Sequence, residues 1–137
     1  MMINAQLGHI VFGVQPANMA FYKDFLSFVG WEIIYDSPEM LGVTGPHGVS
    51  LWFGTEVKPV TNDYDGPGVN HIAFSVPTQG DVDTVVAYLT EHDTQHLFET
   101  PRHRPEFSHS EDQTYYQVMF ETPDRILIEV VYTGPKS

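Results

Sequence analysis

The chain has 137 residues, 42% hydrophobic and 18% charged, a globular composition long enough to bury a core without covalent staples. Six Lys and Arg stand against eighteen Asp and Glu, and a net charge of −12 argues against nucleic acid and anionic membranes as partners. With no cysteine there is no disulfide, no thiolate chemistry and no Cys-based metal site, so a metal here has to rest on His and carboxylate.

Met1 to Gln6 show no basic segment followed by a long apolar one, and no apolar run approaches the ~18 residues of a membrane span, so the expected location is cytoplasmic. Leu7 to Val14 read as a strand. Ile10, Phe12 and Val14 fall on one face; His9, Val11 and Gly13 fall on the other. A helix is predicted over about Pro16 to Val29, with Phe21, Phe25 and Phe28 at i, i+4, i+7 and Tyr22, Leu26 and Val29 beside them, stopped by Gly30. Strands are predicted over Trp31 to Tyr35, Met40 to Thr44 and Val49 to Phe53, separated by Asp36-Ser37-Pro38 and by Gly45-Pro46-His47-Gly48.

The pattern then starts again. Val69-Asn70-His71-Ile72-Ala73-Phe74-Ser75-Val76 repeats Leu7-Gly8-His9-Ile10-Val11-Phe12-Gly13-Val14, with His, Ile, Phe and Val coinciding at a constant offset of 62 positions. A second helix is predicted over about Asp81 to Glu91, with Asp81 as N-cap and Val82, Val86 and Leu89, supported by Val85, as its stripe. Strands follow over Gln95 to Glu99, Thr114 to Phe120 and Ile126 to Tyr132, the last hairpin closing at Thr122-Pro123-Asp124-Arg125. The expected division is module one 5–56, a Pro- and Gly-rich linker 57–67 and module two 68–133, within a single domain 1–137. Each module reads β-α-β-β-β, and a lone one would leave a sheet face and a strand edge open, so two should pack together.

His9 and His71 hold equivalent positions on the face turned away from each helix. A lone histidine there is ordinarily a packed or hydrogen-bonded residue; two at the same repeat position point to shared chemistry. Glu129 lies mid-strand in Ile126-Leu127-Ile128-Glu129-Val130-Val131-Tyr132, with Leu127 and Val131 on its face. Burying it without a partner is costly, and a cation offsets that cost; the bland alternative is an edge strand with Glu129 facing water. Two neutral imidazoles and one carboxylate make a facial triad with open positions, suited to Fe, Mn, Ni, Co or Zn.

The chain resembles the vicinal oxygen chelate superfamily of glyoxalase I, extradiol dioxygenases, fosfomycin thiol transferases and bleomycin-binding proteins. The resemblance covers nearly the whole chain. It is carried by Leu7-Gly8-His9-Ile10, by Phe21-Tyr22, Phe25-Leu26 and Gly30-Trp31-Glu32, by Val69-Asn70-His71-Ile72-Ala73-Phe74, and by Tyr115-Tyr116 followed by Phe120-Glu121-Thr122-Pro123-Asp124-Arg125-Ile126-Leu127-Ile128-Glu129-Val130. It implies an α+β fold of two βαβββ modules forming a cupped eight-stranded mixed sheet with outer helices, and a homodimer. It also implies a divalent metal ion on His9, His71 and Glu129, and a small-molecule substrate with vicinal oxygens.

The reaction implied is that of a metal-dependent lyase, isomerase or ring-cleaving dioxygenase. The alternatives are a metal-free, drug-sequestering protein of the bleomycin resistance type, and a scaffold that kept the fold. A fourth ligand position falls on Trp52 when counted from the turn prolines, or on Ser50 after a slip of two. Neither supplies the carboxylate that glyoxalase I chemistry calls for. Arg125 stands where the family turn usually has Gly.

Pro101 to Gln113 gathers Arg102, His103, Arg104, Glu106, His109 and Glu111. Its plain reading is a solvent loop with self-paired charges. Its functional reading is a mobile rim that meets a substrate carboxylate through Arg102 and Arg104, with His103 or His109 as acid or base. Tyr116 shares the cup face with Glu129 if the last hairpin is regular, and Trp52, on the face of Ser50, is a candidate platform for a flat substrate. His47, His92 and His96 read as surface histidines.

Overall fold

The computed structural model describes residues 1–136 and divides them into two compact units, Met1–Val60 and the residues from Thr61 onward. In the first unit, β1 (His9–Gly13) leads through a 3-10 turn at Pro16–Asn18 to α1 (Met19–Phe28), then β2 (Glu32–Asp36), β3 (Met40–Thr44) and β4 (Ser50–Gly54). Tyr22, Phe25 and Leu26 are the buried residues of α1. Tyr22 stacks on Phe53 at 4.7 Å, and Phe53 stacks on Phe12 at 5.0 Å, so the aromatic stripe packs on the Phe side of the sheet. The helix ends where Gly30 turns left-handed (φ 91), with Trp31 N–H donating to Leu26 O at 2.9 Å and Gly30 N–H to Ser27 O at 3.1 Å.

In the second unit the order is β5 (Ile72–Ser75), α2 (Gln79–Glu91), β6 (Arg102–His103), β7 (Gln113–Glu121) and β8 (Leu127–Pro135). Here α2 starts two residues before the sequence expectation. Thr78, not Asp81, is the N-cap, and Asp81 closes a capping box by accepting the Thr78 N–H while Thr78 Oγ1 accepts the Asp81 N–H. Val82, Val85 and Leu89 are buried against the sheet, with Val118, Phe120 and Val130 fully enclosed.

Among the described residues the eight strands divide into two four-stranded sheets, β1-β4-β3-β2 and β5-β8-β7-β6, each with one parallel pair between its first strand and its last. This is the α+β, two-module βαβββ architecture that the repeat predicts. One strand is displaced. Gln95 to Glu99 forms only a single bridge, His96 to Phe120, and Phe98 and Glu99 turn left-handed (φ 56 and 60); the fourth strand of the module is instead Arg102–His103, inside the segment read as a loop. The expected linker is also partly built in. Tyr64, 7% exposed, packs with Met119 and Leu127, and its hydroxyl donates to Glu121 Oε1 at 2.5 Å. Among the described residues no helix is long and apolar enough to cross a membrane.

Candidate functional site in the second module

Glu129 is 2% exposed on the central strand β8, and His71, just ahead of β5, reaches it: Nε2 lies 3.3 Å from Glu129 Oε1. The second carboxylate oxygen, Oε2, accepts hydrogen bonds from the Tyr115 hydroxyl at 2.8 Å and from the Gln117 amide. Burial, and after it the bond to Glu129, pushes the Tyr115 phenol up to about 12, so at neutral pH it is a fixed donor rather than a base. Behind the imidazole, Asn70 Nδ2 donates to the Tyr64 carbonyl at 3.0 Å, and Asn70 Oδ1 stands 2.7 Å from His71 Nδ1. A backbone carbonyl only accepts, which fixes the orientation of the Asn70 amide and leaves Nδ1 as the protonated nitrogen. Nε2 is then the ring nitrogen that faces the carboxylate oxygen.

His71 and Glu129 line a cavity of about 720 Å³ together with Tyr115, Gln117, Arg102 and Arg104. Arg102 pairs with Gln117 in the β6–β7 ladder and so shares its face. Arg104 donates to Gln117 Oε1 at 3.2 Å and to Glu106 Oε2 at 2.9 Å, and its guanidinium lies 4.8 Å from the Phe107 ring centre.

The other expected residues lie elsewhere. The β7–β8 register pairs Met119 with Glu129 and Tyr116 with Tyr132, so Tyr115, Gln117 and Met119 share the face of Glu129 and Tyr116 does not. Tyr116 donates instead to Asp83 of α2 at 2.6 Å, which corrects its placement in the cup; its phenol too is pushed up to about 12, by burial first and Asp83 second. His103 pairs with Tyr116, lies tilted against its ring at 4.6 Å and contacts Thr114 Oγ1, and with His109 it lines a separate concavity. His9 is exposed on β1, next to Ser50 in the ladder.

Val11 pairs with Trp52 as Ala73 pairs with Glu129, so Trp52 is the module-one equivalent of Glu129, as the count from the prolines predicts. The Trp52 ring covers Gly42, where a Cβ would stand 2.5 Å from it, and its Nε1–H donates to Ser50 Oγ at 3.0 Å. An aromatic ring thus occupies the place that a carboxylate takes in module two. Among the described residues no three His, Cys, Asp or Glu side chains gather into one metal-holding group; what the structure brings together is the pair.

Sequence reading missed Tyr115, Gln117, Asn70 and Tyr64. Asn70 had a signal, since it stands beside the repeated His where module one has Gly8.

The sequence model of the Glyoxalase/Bleomycin resistance protein/Dioxygenase superfamily matches residues 6–130. No curated protein matches the chain. Among solved structures, a candidate glyoxalase from Bacillus halodurans is 24% identical with a TM-score of 0.76, over 92% of this chain and 94% of that one. A glyoxalase/dioxygenase from Nostoc punctiforme is 18% identical with a TM-score of 0.73, over 98% of each. The fosfomycin resistance protein FosX from Listeria monocytogenes, solved with Mn(II) and sulfate, is 20% identical with a TM-score of 0.66, over 93% of this chain and 90% of that one. At these identities the likeness is one of fold.

Proposed function

Because the chain belongs to the Glyoxalase/Bleomycin resistance protein/Dioxygenase superfamily, we propose that its second module holds a divalent metal ion on His71 and Glu129 and acts there on a small substrate that presents two adjacent oxygens. The observation that supports this reading is the approach of His71 Nε2 to Glu129 Oε1 at 3.3 Å in a cavity wall. Two acceptors facing each other at that distance call for something positive between them, either a proton or a cation. The donor set fits the second: imidazole nitrogen and carboxylate oxygen suit Fe, Mn, Ni, Co or Zn, and Asn70 and Tyr115 hold the two groups from behind as outer partners of metal ligands do.

Such an ion supplies Lewis acidity to oxygens bound at its open positions. The chain's own residues do the rest. Tyr115 and Gln117 keep one oxygen of Glu129 occupied, so that the other faces His71. Arg104 holds Gln117 from the far side. The reaction in this reading is that of a lyase, an isomerase or a ring-cleaving dioxygenase.

The experiment is elemental analysis of the untagged protein beside Glu129→Gln and His71→Ala. The wild type is expected to carry stoichiometric metal and each variant to lose most of it, with circular dichroism unchanged. Full metal content in both variants overturns the reading. Wild-type protein that takes up no metal supports a binding protein that works without one.

A further inference from the structure

Of the six Lys and Arg in the chain, Arg102 and Arg104 both line the cavity of His71 and Glu129, a concentration that a net charge of −12 does not lead one to expect. Arg104 is held in place by Glu106, Gln117 and the Phe107 ring. Arg102 is not. Its nearest carboxylate is Glu99, at 3.6 Å and itself 89% exposed, and its Nε–H is buried with no hydrogen-bond partner among the described residues. A buried donor without an acceptor is costly, and a solvated carboxylate at that distance compensates little. Glu129 does not serve Arg102, because its oxygens are committed to His71, Tyr115 and Gln117.

That Nε is closed to solvent, but the Arg102 side chain as a whole is 41% exposed, and the terminal nitrogens of a guanidinium offer two donors that match a carboxylate. Beside this pair, Phe98 and Phe107 line the same cavity and remain 51% and 54% exposed. Exposed aromatic side chains at a concave, cationic wall are suited to a flat apolar body.

We infer that the cavity takes a small aromatic carboxylate, with its carboxylate on Arg102 beside Arg104 and its ring against Phe98 and Phe107. The inference rests on the function proposed above only at its far end, where adjacent ring oxygens reach the His71–Glu129 centre; the carboxylate contact stands without the metal.

Benzoate is therefore titrated by calorimetry into the full chain, as purified and again after chelation, with benzamide as the uncharged isostere. Benzoate is expected to bind in both preparations and benzamide roughly tenfold or more weakly. Arg102→Ala is expected to weaken benzoate by a similar factor. Arg102→Lys, which keeps the charge and removes the planar fork, should weaken it as well, and it decides the matter if the alanine variant unfolds. Lys23→Ala is expected to change nothing. Equal binding of benzoate and benzamide, or unchanged affinity in folded Arg102→Lys and Arg102→Ala, overturns the inference. Loss of metal from Glu129→Gln is read separately: benzoate binding that fails while metal content holds sinks this inference alone, and metal content that ignores Glu129→Gln while Arg102-dependent benzoate binding persists sinks the metal reading alone.

Discussion

A carboxylate at 2% exposure in the central strand of a sheet needs partners for its oxygens. Glu129 gives one oxygen to Tyr115 and Gln117 and turns the other to His71. Removing Tyr115 takes away a donor and leaves a buried acceptor less satisfied, so Tyr115→Phe should lower stability by about 1–2 kcal/mol, read from urea midpoints. The neighbouring Tyr116 shows what a one-residue step along a strand does to a side chain's surroundings. It lies half-buried on the opposite face and is tied to Asp83.

With its phenol raised to about 12 from about 10 in the unfolded chain, Tyr116 contributes stability that is fully present below pH ~10 and lost as pH rises toward 12. A spectrophotometric titration should therefore show phenols with midpoints near 12, from Tyr115 and Tyr116, of which Tyr116→Phe removes one. If Tyr116→Phe leaves the phenols near 12 undiminished, the Asp83 bond is contradicted.

Among the elements, α2 is anchored at its start by the Thr78–Asp81 box and along its length by Val82, Val85 and Leu89. Thr78→Ala should cost about 1 kcal/mol, the ordinary loss of an N-cap. Leu89, fully buried, should cost about 2–5 kcal/mol when cut to alanine, because the cavity left behind adds to the lost transfer energy. Thermal unfolding of the two variants should rank them in that order.

The hairpin between β7 and β8 decides more than stability. A turn confined to Thr122–Arg125 would pair Glu121 with Ile126 and set Tyr116 on the face of Glu129. The observed ladder pairs Glu121 with Leu127, because Arg125 adopts a left-handed conformation (φ 57) and Ile126 stays in the turn, its N–H bonded to Thr122 Oγ1. A shift of one residue in register exchanges the two faces of a strand, so Tyr115 and Gln117 are the partners of Glu129 and Tyr116 is not.

At the scale of the whole molecule, the two edge strands of the first sheet, β1 and β2, expose apolar side chains, Val11 on one and Ile34 and Tyr35 on the other at 50–61%, and open strand edges invite self-association. We expect a homodimer, and light scattering at working concentration should return twice the chain mass; the mass of a single chain would refute it.

The sequence by itself determined the two modules, the two helices, the pairing of Trp52 with Glu129 as equivalent positions, and His71 and Glu129 as the residues to watch. Those follow from period and repetition, which are local properties of a chain. Tertiary structure alone decided which tyrosine meets Glu129, that Arg102–His103 rather than Gln95 to Glu99 supplies the edge strand, and that Tyr64 and Asn70 stand behind His71. The reason is physical: register and turn conformation depend on hydrogen bonds such as Ile126 N–H to Thr122 Oγ1 and Arg104 N–H to Tyr115 O, made between residues whose types do not announce them.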